Sequence, residues 1–417
     1  TSDKLVVWGQ HWKEILSTYS NKYNSENIIV GPHIRKTVDY STIPKPASKL
    51  INPSKPNILI PYEFAGDHSS VSSYIRLLLN HFNIIIKTRP NHKDEEKKIY
   101  DNDIINQITF INSISEKDGH EISKKELSNI NCPACNKQDK SNILYSKNNF
   151  NIKSCLNCNT LFCSPRPTPK ELEWLYKDST SSKYWANTFF PTVSKIRQKK
   201  LFKQKAKQIH KMITDLNFYP NEICDVGAGH GVFTEELSKH FTKSIFYCLE
   251  PNPEMALICK EKNFHTIENT IENLKTNKNQ FDLVLSSEVF EHVYSPKKFL
   301  KQIYNIVKPN GFCLITTLNC EGYDIQILKE KSKSISPPHH LNFFSLKGFE
   351  ILFKNIGFSE ITISTPGKID LDIVLNSTYS DTFSETIKSR GTKSIKEFQK
   401  FLQKNLLSSH TWILAKK

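Results

Sequence analysis

Ile223–Phe233, ICDVGAGHGVF, constrains the fold of this chain more than any other stretch. An apolar run ends at Cys224 and Asp225, glycines alternate at 227, 229 and 231, and Phe233 and Leu237 resume at helical spacing. This is a strand entering a helix through a loop that turns sharply and lets a ligand approach the backbone, which is where glycine is needed. The next apolar run, SIFYCLE, ends on Glu250, nineteen residues beyond Gly231. In a doubly wound α/β sheet that acid falls beside the same crevice, where a carboxylate accepts from ribose hydroxyls. A dinucleotide fingerprint would place its third glycine three residues after the second. Here the interval is two, and Asp225 stands just ahead of the first glycine.

That pattern resembles motif I of class I S-adenosylmethionine-dependent methyltransferases. The residues downstream fit an α/β domain. Pro251-Asn252-Pro253 leads into a helix through Met255 and Ile258, and Phe281–Ser286 reads as a buried parallel strand. Ser295-Pro296 caps a helix with Phe299, Leu300, Ile303 and Val307 inward. Pro309-Asn310-Gly311 turns the chain into a strand over Phe312–Thr317, and Ser345 opens a helix that Gly357 ends. Strands over Glu360–Ser364 and Trp412–Lys416 complete the set. The resemblance implies a mostly parallel Rossmann-like sheet with these last two strands as an antiparallel hairpin at its edge. The intervening stretch of about forty-five residues is long enough for a cap. It further implies S-adenosylmethionine as cofactor, bound by Asp225, Gly227, Ala228, Gly229, Glu250 and Pro251, with adenine near Ile271 and the methionine portion near Ser286 and Ser287. Tyr184 and Arg197 are candidates for the cofactor carboxylate.

Methyl transfer to a hydroxyl needs donor and acceptor held in line and a base to take the proton. Glu288-Val289-Phe290-Glu291-His292-Val293 follows the strand at 281–286 directly, at the carboxyl edge where ligands bind. The segment resembles the EVxEHV of ubiquinone and sugar methyltransferases. By that resemblance His292 faces the acceptor as base or substrate contact, and Glu291 orients it or stabilises a helix start. Pro337-Pro338-His339-His340 delivers two histidines to the same cleft mouth. Adjacent side chains diverge, and His340 is favoured because the family's histidine immediately precedes the Leu-Asn-Phe-Phe run. Zinc binding by this pair is not expected, for want of a third ligand nearby.

Cys132-Pro-Ala-Cys135 and Cys155-Leu-Asn-Cys158 are separated by nineteen residues, the spacing of a ribbon that closes a tetrahedral, structural zinc site. Cys163, in the run TLFC, reads as a strand residue. Cys224, Cys248 and Cys313 lie in apolar runs as small hydrophobes, a usage that fits a reducing cytoplasm. A zinc ribbon ahead of such a domain resembles bacterial methyltransferases of nucleotide-linked deoxysugars, some of them C-methyltransferases, over residues 130–417. Pro366-Gly367-Lys368-Ile369-Asp370 and the ending LLSSHTWILAKK belong to the same resemblance.

Three segments are thus expected: an α/β segment at 1–128, the ribbon at 129–166 and the methyltransferase-like domain at 167–417. In the first, NIIV at 27–30, NILI at 57–60 and NIIIK at 83–87 read as strands, with a helix over Val71–Phe82 that makes a βαβ unit and a parallel sheet. Val6–Leu16, Ile28–Arg35 and Ile84–Glu95 resemble the nucleotide-binding half of GT-B glycosyltransferases of surface-polysaccharide assembly. The family's donor-binding segment has no counterpart before Cys132, so a truncated module is expected. Lys87 and Arg89 are its candidate phosphate contacts.

The net charge of +15 invites a nucleic-acid partner. Its densest part, Lys195–Lys211, carries eight Lys or Arg and no acid, but Phe202, Ala206, Ile209 and Ile213 make it an amphipathic helix with a solvated basic face. A carbohydrate or nucleotide-sugar acceptor is the leading reading, with other polysaccharide-assembly enzymes as partners. An RNA methyltransferase and a non-catalytic scaffold are the alternatives. The place after the fourth strand lacks the acidic-Pro-Pro-aromatic or Asn-Pro-Pro-aromatic motif of base-nitrogen enzymes, and the intact motif I residues argue against a scaffold. No apolar run has the length of a membrane span. The opening Thr1-Ser2-Asp3, without methionine, leads to the expectation of missing upstream residues.

Overall fold

The computed structural model describes residues 57–61, 83–87, 110, 113–138, 141–189, 198–274, 278–377, 379 and 381–417. The chain divides into two compact units, 1–105 and 106–417. In the first, Asn57–Pro61 and Asn83–Lys87 pair in parallel, Asn57 opposite Asn83. A parallel pair needs a crossover connection. The crossover helix expected over Val71–Phe82, the strand at 27–30, the GT-B-like stretches other than 84–87, and the Lys87 and Arg89 side chains lie outside the described residues.

The second unit is built on a seven-stranded sheet. Its strands are β1 (Glu222–Val226), β2 (Ile245–Leu249), β3 (His265–Ile267), β4 (Phe281–Ser287), β5 (Val307–Leu318), β6 (Thr362–Ser364) and β7 (His410–Lys416), in the order β3-β2-β1-β4-β5-β7-β6. β7 runs antiparallel to β5 and β6, and the remaining pairings are parallel. Alternate residues of each strand serve opposite faces, as pleating requires. Ile223, Leu283, Leu285 and Leu314 pack with Ala206, Ile209 and Ile213 of α1 (Lys203–Thr214) and with Phe233 and Leu237 of α2 (Val232–Ser238). Cys224, Val284, Cys313 and Ile315 pack on the other face. Their partners there are Phe299 and Ile303 of α4 (Pro296–Ile306) and Phe349 and Leu352 of α5 (Leu346–Ile356); α3 (Pro253–Glu261) follows β2.

Local signals explain the helix ends. Pro296 and Pro253 occupy first turns, Ser295 and Ser345 cap through their hydroxyls, and Gly357 closes α5 in the left-handed region. The last two strands do pair at one side of the sheet, but the terminal strand is internal and the short β6 forms the edge. The stretch between them folds as helices Asp370–Leu375, Thr382–Ser389 and Thr392–Lys404. Buried Asp370 pins it by accepting from Ser408 Oγ, Ser409 N and Gln399 Nε2. Among the described residues no helix is long and apolar enough to cross a membrane.

The four-cysteine module shares its structure with this sheet domain. Ser141–Lys147 and Phe150–Cys155 form a hairpin, Leu161–Cys163 adds to it, and Asn342–Phe343 from the later sequence pairs with Leu161–Cys163 as a fourth strand. Cys163 is a fully buried strand residue beside Ile152 and Phe343. A Cβ on Gly348 of α5 would lie 2.1 Å from Thr160 Oγ1, so the module docks directly on that helix.

Candidate functional site

The glycine loop after β1 has two distinct requirements. Gly227, at φ +78°, passes so close to the next segment that a Cβ would stand 2.5 Å from Val289 Cγ2. A Cβ on Gly229, at φ +56°, would meet nothing within 4 Å, so this backbone faces open space. Glu250, 6% exposed, accepts from Gly229 N at 2.8 Å and Asn252 N at 2.9 Å. Burial pushes its pKa up, and those two N–H groups oppose the shift. A carboxylate has about four acceptor positions, so two remain for ribose hydroxyls. Asp225, at the carboxyl end of β1, accepts from the Thr234 hydroxyl at 2.7 Å, while its other oxygen is buried without a partner. Burial lifts its pKa to about 6. An orphaned carboxylate oxygen and an open glycine backbone at one loop fit a ligand rich in hydrogen-bond donors.

The other predicted cofactor residues surround this loop in chain and sheet. Ala228 N bonds Leu249 O at 3.4 Å, Pro251 is exposed, and Ile271 is buried in the short turn Ile271–Asn273. The Ser286 hydroxyl donates to Val226 O at 3.1 Å, tying β4 to β1, so Ser286 offers the crevice its backbone rather than its side chain. Ser287 is partly exposed and its hydroxyl is engaged by a lysine. Tyr184 packs its ring edge against Phe110 at 5.0 Å, and Arg197 lies outside the described residues.

That lysine is Lys205 of α1. Its ammonium donates to Ser287 Oγ at 2.6 Å, Thr316 Oγ1 at 2.8 Å and Glu288 Oε1 at 3.3 Å, with the side chain only 12% exposed. The basic segment is therefore not uniformly solvated: one of its lysines turns in over the ends of β4 and β5. The signal was available, because Lys205 occupies the i+3 position of the Phe202, Ala206, Ile209 stripe. Glu288 stands at φ +55°, a strained region for a side chain with a Cβ. Burial disfavours its anion, but His410 and Lys205 outweigh that and hold the carboxyl well below the usual range.

The turn after β4 carries the predicted catalytic group. Glu291, 2% exposed, accepts from the Thr317 hydroxyl at 2.8 Å, and burial together with the Glu288 charge raises its pKa to about 7. His292 Nδ1 lies 2.9 Å from His339 O and 3.1 Å from Tyr176 Oη, which itself donates to His339 O at 2.9 Å. A carbonyl only accepts, so Nδ1 carries the hydrogen and Nε2 keeps a free lone pair. His340 has the same arrangement, with Nδ1 2.7 Å from Ser334 O. The His292 and His340 rings meet edge to face at 4.6 Å, and burial lowers the pKa of both. The His339 ring turns instead to Ser181 Oγ at 3.3 Å. The His339–His340 pair shares no ligand cluster among the described residues, but His340 alone has Glu291 and His292 beside it where the sequence reading expected no further ligand nearby, because Leu341 N and Asn342 N bond Glu291 O and fold one loop over the other. Tyr176 had no signal in the sequence.

Arg166 holds this arrangement together. Fully buried, it donates through Nε to Cys163 O at 3.0 Å, through Nη1 to Tyr294 O at 2.9 Å and Asn342 Oδ1 at 3.0 Å, and through Nη2 to Leu341 O at 3.2 Å. It thereby joins the cysteine module to both histidine-bearing loops. The four cysteines form a separate cluster. Cys132 and Cys158 sulfurs are 3.6 Å apart, Cys135 and Cys155 likewise, and all four lie within 4.8 Å of one another. Asn136 and Asn159 adopt left-handed conformations that close the two knuckles, Asn136 N bonding Cys132 O and Asn159 N bonding Cys155 O.

Residues 197–363 match the family model described as a methyltransferase domain. The ubiquinone biosynthesis O-methyltransferase of Rickettsia canadensis is 35% identical over 102 residues, 24% of this chain and 43% of the relative. The mitochondrial enzyme of that name from Dictyostelium discoideum is 34% identical over 137 residues, 29% and 41% of the two chains. This chain thus spans less than half the length of these curated relatives. A solved S-adenosylmethionine-dependent methyltransferase from Thermotoga maritima, described as a possible histamine N-methyltransferase, is 18% identical. It covers 55% of this chain and 97% of its own at a TM-score of 0.37, too low to carry the assignment. Sheet order, glycine loop and family model agree: the chain carries a class I S-adenosylmethionine-dependent methyltransferase domain.

Proposed function

We propose that the protein methylates a carbohydrate, a nucleotide-linked sugar or a surface-polysaccharide glycan, and that His292 takes the acceptor's proton. The observation that carries this reading is the 2.9 Å contact of His292 Nδ1 with His339 O, which puts the hydrogen on Nδ1 and leaves the Nε2 lone pair free in the turn after β4, the turn whose Val289 lies against Gly227. Bound S-adenosylmethionine supplies an electrophilic methyl group. Glu250 and the Gly229 backbone would hold the cofactor's ribose end, and the Ser286–Ser287 edge would border its methionine end. Tyr176 and the His339 carbonyl fix the imidazole plane, so the base need not reorganise as the proton moves. His340 and Glu291 complete a polar wall suited to a polyhydroxylated acceptor. Lys205 is engaged by Glu288 and so offers no free cation to a phosphate backbone, which favours a sugar over RNA.

Cys132, Cys135, Cys155 and Cys158 are assigned to a structural zinc ion. Zn–S bonds of about 2.3 Å in a tetrahedron place sulfurs roughly 3.8 Å apart, close to the 3.6 Å separations found. Four thiolates close the coordination sphere, so this metal supports the fold and not the chemistry. Incubation with methyl-labelled cofactor and separate pools of nucleotide sugars, glycans and RNA tests the acceptor class. Label in a carbohydrate pool supports the reading, and label in RNA alone refutes it.

A further inference from the structure

We propose that His410 is a second acceptor-facing histidine, whose Nδ1 accepts a hydrogen bond from an acceptor hydroxyl other than the one methylated. The inference rests on the reading of a polyhydroxylated acceptor given above. His410 opens β7 opposite Leu318, the last residue of β5, and so stands at the carboxyl edge of the sheet. Its side chain is 34% exposed, and Nε2 lies 3.6 Å from Glu288 Oε1. That separation is too long for a hydrogen bond, yet short enough for charge to orient the ring. Glu288 is itself fixed, accepting from Lys205 Nζ at 3.3 Å and from the Thr316 hydroxyl at 2.6 Å. An anion beside Nε2 favours the N–H end of a neutral imidazole over its lone-pair end. The hydrogen therefore sits on Nε2 and Nδ1 keeps its lone pair. Burial lowers the pKa of the ring against the pull of Glu288, so it is neutral near pH 7. Among the described residues Nδ1 has no hydrogen-bond partner.

Two sequence stretches that the cofactor loop and His292 leave unexplained converge to place this ring. Asp370, from Pro366–Asp370, accepts from Ser408 Oγ at 2.7 Å and Ser409 N at 2.8 Å, in the stretch that leads into His410. A Cβ on Gly367 would lie 2.0 Å from Ser408 Oγ, and one on Gly322 2.2 Å from Ser409 Cα. Asn319, just past β5, donates through N to Ser409 O at 2.6 Å and through Nδ2 to Ser408 O at 3.3 Å. Lys368 reaches Gln204 of α1, next to Lys205, at 2.8 Å. The backbone ahead of His410 is thus clamped by three separate segments. A group preorganised in this way loses little freedom when it engages a ligand. Glu288 and His292 belong to one turn, so His410 and His292 border the same edge of the sheet, one from β7 and one from the turn after β4.

The test compares His410→Asn with His410→Gln in the full chain. Asparagine carries its carbonyl oxygen where the imidazole has Nδ1, whereas glutamine reaches the Nε2 position. Acceptor KM and kcat are measured on the pool that the wild-type chain labels from methyl-labelled cofactor. His410→Gln should raise KM by roughly 3–12-fold with kcat within about threefold, the pattern of one lost hydrogen bond made equally in ground and transition states. His410→Asn should bring KM back to within about twofold of the wild type. Unchanged S-adenosylhomocysteine affinity and far-ultraviolet spectra would show that both variants are folded. A histidine that only supports Glu288 gives the reverse order, because glutamine alone keeps an N–H beside that carboxylate. Label in RNA alone would remove the sugar reading, while the order of the two KM values on RNA, whose ribose also offers hydroxyls, still decides the role of His410. Nitrogen-15 spectra of the histidine-labelled chain give a reading without turnover, and a His410 ring protonated on Nε2 near pH 7 is expected. The inference is overturned by a ring protonated on Nδ1, by equal KM values in the two variants, or by the reverse order.

Discussion

Arg166→Met tests whether one buried guanidinium organises the acceptor side. The methionine keeps much of the side-chain volume but leaves Cys163 O, Tyr294 O, Leu341 O and Asn342 Oδ1 without their donor. A buried acceptor stripped of its partner costs about 1–3 kcal/mol, so four give a gross loss of about 4–12 kcal/mol. Set against this is the cost of burying the guanidinium, which brings Arg166 from 12.5 down to about 10. At 1.36 kcal/mol per pH unit the substitution recovers about 3 kcal/mol. The difference is about 1–9 kcal/mol, and water reaching the vacated acceptors moves it toward the low end, so a net loss of about 2–4 kcal/mol is expected. Urea unfolding of the zinc-loaded chain should show a lower midpoint at unchanged slope. Hydrogen exchange should accelerate at 291–294 and 340–342, the segments that Arg166 ties down. A loss below about 1 kcal/mol, or exchange that rises uniformly, would refute the reasoning.

Three other outcomes are expected. Glu250→Ala removes an ionised acceptor from the crevice at about 1.5–3 kcal/mol, so S-adenosylhomocysteine should bind roughly 10–150-fold more weakly by calorimetry; unchanged affinity would contradict the glycine-loop reading. Cys155→Ser should lower the zinc content and destabilise the chain, since metal binding and folding are coupled in such modules; elemental analysis and thermal unfolding measure both. Asp324 is fully buried, and burial lifts its pKa from 3.8 to about 6, with the Ser409 hydroxyl opposing the shift and the Asp370 charge adding to it. Its protonated form therefore favours folding at low pH, and that contribution is lost as pH rises through about 6. Asp324→Asn should gain about 1–1.5 kcal/mol on the wild type between pH 5 and pH 7.5, with no such trend if the carboxyl titrates normally.

What could be read in the sequence depended on whether the physical constraint was local. Gly227 and Gly229 were legible because left-handed turns and a close approach to Val289 demand glycine at those positions. The helices at 296–306 and 346–356 announced themselves through Ser caps, and the cysteine pairs through knuckle spacing. The meeting of His292 and His340 was not legible, because backbone bonds from Leu341 and Asn342 to Glu291 across the fold create it. Nor was the sharing of one sheet by the cysteine module and Asn342–Phe343. Lys205 was misread for a different reason: a lysine on an apolar stripe reads as solvated unless its exact helical position is weighed. The internal place of β7 likewise depends on long-range pairing with β5, which periodicity does not report.

The most direct measurement compares His292→Ala with the wild type in two assays on the same preparation, S-adenosylhomocysteine affinity and transfer of labelled methyl to a nucleotide-sugar pool. The account predicts affinity within about threefold of wild type, with turnover down by roughly 10²–10⁴, the range of general acid–base assistance. Wild-type turnover in the variant, or a loss of cofactor affinity as large as the loss of turnover, would contradict it.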